Sequence, residues 1–163
     1  MTVLLIEADI QKIKQFPVEW IPEQIDAILK PYHLKWSYGN CYEVEDGYDA
    51  ETAVKGAVEA LQATSWLKGA LHIQIIRRVV RRKLAQINTD AMKEPAADKM
   101  EQCRRLFRNK DLSGKKLVYP NPIVIDEENR LVDGYTTYLL MRERGLTEAA
   151  CVLVSKQAGR SSS

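Results

Sequence analysis

The 163-residue chain holds only two histidines, two phenylalanines and three cysteines. It also has no apolar run long enough to cross a bilayer. Each shortage excludes something. Cys41, Cys103 and Cys151 are odd in number, far apart and form no C-x-x-C pair. That argues against a disulfide framework and a cysteine-rich zinc site, and it suits a reducing compartment. With His33 and His72 as the sole imidazoles, no Ser-His-Asp or Cys-His arrangement can be argued from spacing. The opening MTVLLIEADIQK offers four apolar residues before Glu7, too few for a signal peptide or a membrane span. A cytoplasmic chain without a membrane partner is the expectation. No internal repeat or low-complexity stretch interrupts it.

What is present is an ordinary globular composition, 45% hydrophobic and 28% charged, which suffices to bury a core without disulfides. The net charge of +2 conceals a division. Residues 1–70 carry 6 Lys/Arg against 11 Asp/Glu, whereas residues 71–163 carry 18 against 11. The excess concentrates in residues 71–116, with 13 basic residues and 5 acidic ones. Such asymmetry points to two functional regions, and the basic half points to an anionic partner or to a solvated charged face.

Periodicity gives the elements. Ile21, Ile25, Ile28 and Leu29 share one side of a helix that Pro31 stops, and Gly39-Asn40 splits the aromatic stretch His33–Glu45 into a hairpin. Asp49 is placed to cap a helix bearing Val54, Ala57, Val58 and Leu61. Residues 1–66 thus predict a small acidic α/β subdomain. Leu71-His72-Ile73-Gln74-Ile75 alternates and runs on through Ile76, Val79 and Val80, which predicts one strand flanked by Arg77, Arg78, Arg81, Arg82 and Lys83. That much charge places the strand's end beyond the core or at a sheet edge, where charge also discourages aggregation.

Further along, Ala96, Met100, Cys103 and Phe107 recur at helical spacing over 96–108, with Lys99, Arg104, Arg105 and Arg108 outward. Ser113-Gly114 marks a turn. Pro122–Ile125 reads as a buried strand, Asp126–Asn129 as a turn and Arg130–Val132 as a second strand. A helix then opens at Asp133-Gly134 and ends at Gly145, before a closing strand at 150–154. Residues 158–163 form a frayed tail.

The run from Pro122 through Leu139, followed by Arg144-Gly145-Leu146 and the last strand, is similar to the ParB/sulfiredoxin (ParB-like nuclease domain) superfamily. The resemblance spans about residues 71–157 and describes a stand-alone member. It implies an α/β (α+β) fold, a mixed sheet with flanking helices. It also implies chemistry at the strand–turn–helix of Asp133, Gly134, Tyr135, Thr136 and Thr137. Sulfiredoxins carry Gly-Cys-His-Arg there, and partition proteins carry Gly-Glu-Arg-Arg followed by a helix-turn-helix region. This chain has Gly-Tyr-Thr-Thr and ends first. The resemblance therefore carries over neither the sulfiredoxin reaction nor hydrolysis of CTP by an arginine-rich motif.

Physics favours an anion at that junction, because a helix start offers unpaired N–H groups and partial positive charge. The alternative is that Asp133 caps the helix and Gly134 makes the turn. The candidate phosphate or nucleic-acid contacts are Gly134, Tyr135, Thr136, Thr137, Lys99, Arg77, Arg78, Arg81, Arg82, Lys83, Arg104, Arg105 and Arg108. Tyr119, Tyr135 and Tyr138 are candidate stacking surfaces, Tyr138 being equally placed for the core. Asp133, Thr136 and His72 are the catalytic candidates, with His72 as readily an ordinary strand residue. Magnesium is the one cofactor to consider, on Asp126, Glu127, Glu128 and Asp133, although that stretch is first a good turn sequence. The leading expectation is a protein that binds DNA or RNA, with metal-assisted cleavage as its enzymatic version. A CTP or ATP binder or hydrolase is the second. A non-enzymatic mobile-element or phage protein that inhibits a host nucleic-acid-binding defence system, as anti-CRISPR proteins do, is the third.

Overall fold

A computed structural model of the chain describes residues 1–9, 12–17, 20–106 and 121–155, the side chains of Gln102, Arg105 and Leu106 excepted. It is a mixed α and β structure with two four-stranded sheets among the described residues, which group into two compact units, residues 1–77 with 105–106 in the first and 78–104 with 121–155 in the second.

The first unit begins with strand β1 (Val3–Ala8), the apolar run that sequence alone gave no element. Helix α1 (Ile21–Leu29) follows, with Pro22 in its first turn and Ile21, Ile25 and Leu29 buried. Strands β2 (Leu34–Tyr38) and β3 (Cys41–Val44) form the hairpin expected around Gly39-Asn40, and the Trp36 indole N–H donates to the Gly39 carbonyl at 2.8 Å. Helix α2 (Ala50–Ala63) is capped by Asp49, whose carboxylate accepts the Thr52 N–H and hydroxyl at 2.9 and 2.7 Å. Its interior glycine has a packing reason. A Cβ on Gly56 would meet the Tyr32 ring at 2.6 Å, so the ring lies directly on the helix backbone. Strand β4 (Leu71–Ile76) completes an all-antiparallel sheet in the order β2-β3-β1-β4. Leu4, Ile6 and Ala8 from β1 meet Ile25, Leu29, Val54, Ala57 and Leu61 in one core, joined by Leu67 and Trp66, which takes Phe16 edge-on at 4.9 Å.

The second unit has strand β5 (Val79–Lys83), helix α3 (Ala97–Leu106), strands β6 (Val124–Asp126) and β7 (Leu131–Asp133), helix α4 (Tyr135–Glu143) and strand β8 (Glu148–Val154). The sheet order is β5-β8-β6-β7, with β6 and β8 parallel and the other pairs antiparallel. Ile123, Ile125, Leu140 and Cys151 are fully buried in it. Burial pushes the Cys151 thiol up to about 11, which leaves it an inert core group.

One expectation needs correction. The single strand over 71–80 is two strands in two sheets, broken at Arg77-Arg78. Ile75-Ile76 and Val79-Val80 are separate apolar pairs, each satisfied by a different partner strand, β1 for one and β8 for the other. Leu71–Ile76 thus joins the sheet of the acidic unit, and Val79–Lys83 joins the sheet of the second. The edge expectation for the basic segment holds, since β5 is the outer strand of its sheet. Ser113-Gly114 and the 158–163 tail lie outside the described residues.

Candidate functional site

The strand–turn–helix of the second unit is organised by one buried carboxylate. Asp126 is 3% exposed, and it accepts the backbone N–H of Glu128 and of Arg130 at 2.9 and 3.0 Å and the Arg130 side chain at 3.0 Å. Burial by itself would raise its carboxyl. The two backbone donors and the guanidinium outweigh that and hold it below the ordinary value. The turn returns the chain as β7 beside β6.

At the end of β7 the backbone enters Gly134 with φ of 84° and ψ of 25°. A side chain here would strike the Pro122 carbonyl and stand 2.9 Å from Ile123 Cα, so two backbone segments touch through the missing Cβ. Gly134 is the residue before the helix, and no side chain caps α4. The exposed Asp133 carboxylate instead accepts the Gly134 N–H at 2.7 Å. The first helical bond runs from the Tyr138 N–H to the Gly134 carbonyl at 2.9 Å, which leaves the N–H groups of Tyr135, Thr136 and Thr137 without helical partners.

The side chains differ in use. Thr137 is 1% exposed, and its hydroxyl donates to the Asn121 carbonyl at 2.7 Å, tying α4 to the segment that enters β6. Tyr138 is a core residue, 5% exposed; its hydroxyl donates to the Leu84 carbonyl at 3.2 Å and accepts from Arg142 at 3.0 Å. Tyr135 stacks on it with ring centroids 6.1 Å apart. Tyr135 and Thr136 are half-buried at the helix start. Gly145 closes the other end with φ of 79°, the Gly145 and Leu146 N–H groups returning to the Arg142 and Met141 carbonyls.

The expected arginine cluster is largely engaged elsewhere. Arg77 lies in the first unit and grips Glu51 with two bonds, 2.7 and 3.1 Å. Arg78 reaches Ser155 at 3.0 Å and Glu127 at 3.8 Å, and Arg81 lies 3.8 Å from Glu148. Arg82 donates to Asn129 at 3.0 Å and to the Arg81 carbonyl at 3.1 Å. Arg104 bridges Glu143 and Glu101, both at 2.9 Å, at the end of α4 opposite Gly134. Its guanidinium holds the Glu143 carboxyl below its ordinary value. Sequence counting saw these positive charges but not the carboxylates that fold onto them. Lys83 and Lys99 are exposed and carry no ion pair among the described residues. The Arg105 side chain, Phe107, Arg108 and Tyr119 lie outside the described residues.

His72 stands exposed on β4 of the first unit, opposite Glu7 in register, whereas Asp133 and Thr136 belong to the second. Among the described residues no group of three His, Cys, Asp or Glu could hold a metal ion. The Asp126–Glu128 carboxylates serve the turn and the arginines: Glu127 faces Arg78 and Glu128 pairs with Arg130 at 3.1 Å. Sequence reads Asp126 as a turn residue or magnesium ligand, not as the buried carboxylate that organises the junction, and it gives Asn121 no role. The Asp126-x-Glu128-x-Arg130 spacing was the available signal for the first, and nothing local announces the second.

A Pnob8-like ParB-N domain of known structure is similar to this chain. The two share 17% identity and superpose with a TM-score of 0.38, over 52% of this chain and 32% of that one. This chain therefore spans about a third of that protein. Partial in coverage and loose in superposition, the likeness carries no argument about ligand or activity. No protein-family model matches the chain. No curated protein matches it either. Among the described residues no helix is long and apolar enough to cross a membrane.

Proposed function

We propose that the second unit binds a phosphate-bearing ligand at the start of α4, and that nucleic acid is the ligand class. The observation that carries this reading is the uncapped helix start, where three consecutive N–H groups (Tyr135, Thr136, Thr137) lack helical partners behind a glycine held hard against the Pro122 carbonyl. The Thr136 hydroxyl and the Tyr135 ring stand in the same turn. Lys83 on the edge strand and Lys99 on α3 supply positive charge that carries no ion pair among the described residues, and Arg78 meets Glu127 only at 3.8 Å. A surface pair that long is weak, so a phosphate can displace it. Exposed basic groups on two elements of the same unit, the β5 edge strand and α3, favour a polyanion over a single nucleotide. Cleavage is a finer proposal resting on Asp133 and Thr136, and the binding reading does not need it.

The test is gel-shift binding to single- and double-stranded DNA and RNA, with and without Mg²⁺, over a salt series. Binding should weaken steeply with salt. Thr136→Glu, which sets a carboxylate among the free amides, should weaken it about tenfold or more. Cleavage with Mg²⁺ that disappears in Asp133→Ala would establish the enzymatic version. Stabilisation by CTP or ATP with no oligonucleotide shift would move the assignment to a small nucleotide. No response to either would discard the phosphate reading in favour of a protein partner.

A further inference from the structure

Four strands lie at the sheet edges, and three carry a device that discourages further pairing. Strand β2 has a register break between Trp36 and Tyr38 and bears Lys35. Strand β5 carries Arg81, Arg82 and Lys83, and β7 is three residues long. Strand β4 has none of these: six residues, Leu-His-Ile-Gln-Ile-Ile, without formal charge, proline or register break. Among the described residues its one neighbour in the sheet is β1.

Beside that open edge runs a groove formed with α2. Its larger hollow, about 520 Å³, is floored by Val54, Val58 and Ile75. A second hollow, about 300 Å³, is lined by Leu61, Leu67, Leu71 and Ile73, further along the same two elements. Successive β4 side chains on one face, Leu71, Ile73 and Ile75, thus open onto these two hollows. Unpaired backbone groups repeating at strand spacing match an extended chain, not a helix.

The charges choose the chain's end. At the wide end Arg77 is neutralised by Glu51, and Lys55 faces Glu59 across the same lining. At the narrow end Lys68 lies in the lining, and the Lys12 amine sits 3.3 Å from the Gly69 carbonyl, with no acid in that lining. A fifth strand continuing this antiparallel sheet runs opposite to β4, so its C-terminal end arrives beside Lys12 and Lys68. We propose that the β4–α2 groove takes an extended peptide by strand addition. That peptide is apolar at alternate positions and sets its own C-terminal carboxylate at these two lysines.

The experiment selects binders to the full chain from a displayed library of random eight-residue peptides with free C-termini. Recovered sequences should alternate apolar residues with a period of two. Bound peptide should slow amide exchange at every second residue of Leu71–Ile76 by about tenfold or more. Amidating the peptide terminus, or Lys68→Glu, should weaken binding about two- to fivefold, and a lysine-ended peptide should recover it on Lys68→Glu. Recovery of nothing, of peptides with helical spacing, or of peptides that leave the 71–76 amides unchanged would overturn the proposal. So would concentration-dependent dimers that protect the same amides, because a second copy would then be the occupant.

Discussion

The two units treat charge in opposite ways. The first gathers apolar side chains from both helices and an all-antiparallel sheet into one core, and the ion pair at its β4–α2 groove, Arg77–Glu51, is exposed. The second lays charge into its architecture: buried Asp126 holds a turn, Arg104 clamps α3 to α4, and arginines line β5. The difference teaches that a basic stretch in sequence is not a free basic surface. In the second unit most described arginines meet a carboxylate or an amide oxygen of the same unit, and what the described residues leave for a ligand is the helix start and exposed lysines such as Lys83, Lys93 and Lys99. The acidic first unit is the one whose open surface is apolar.

That contrast can be broken by substitution, and the largest effect is expected at Gly134. A side chain there combines φ of 84° with overlap of the Pro122 carbonyl, so Gly134→Val should cost about 3 kcal/mol or more. Hydrogen exchange followed by mass spectrometry should then show β5–β8 losing protection while β1–β4 keep theirs. Joint loss would mean that the units fold as one.

Leu61→Ala gives the mirror image. Leu61 is 1% exposed in the first core, and its truncation should cost about 2–5 kcal/mol, with protection lost from β1–β4 first.

Asp126→Asn sharpens the contrast through pH. The native carboxyl is held below its unfolded value of about 3.9, so its contribution is complete above that pH and fades as pH falls through the lower folded value. The asparagine variant should lose about 1–3 kcal/mol near neutrality. It should also show a shallower fall in stability below about pH 4 than the parent. Equal acid sensitivity of the two would show that other carboxyls control the transition.

Much of the second unit was legible. Pro122–Ile125, the Asp126–Asn129 turn and the helix ended by Gly145 follow from local signals, namely an apolar run, turn chemistry and a left-handed glycine. The hairpin at Gly39-Asn40 and the Asp49 cap were equally local. Strand β1 was missed because a short apolar run has no period of its own; it is buried on both faces, with Val3 and Leu5 on one and Leu4 and Ile6 on the other. The break at Arg77-Arg78 was hidden for a related reason. Apolar, β-branched residues resume directly after it, and the choice between β1 and β8 as partner is made by residues distant in sequence. At the site, Gly134 was readable but the fate of its neighbours was not. Thr136 and Thr137 look alike in sequence, yet only Thr137 is consumed by the Asn121 carbonyl.

The chain's three tryptophans all fall before the division: Trp36 is fixed in the hairpin turn, Trp66 is packed on Phe16, and Trp20 stands exposed ahead of α1. The half that carries Gly134 contains only tyrosine as an emitter. Light excited at the red edge of indole absorption therefore reports on the acidic half alone, and far-ultraviolet ellipticity sees both. A gap between the two melting curves would date the loss of each half without a single label being attached.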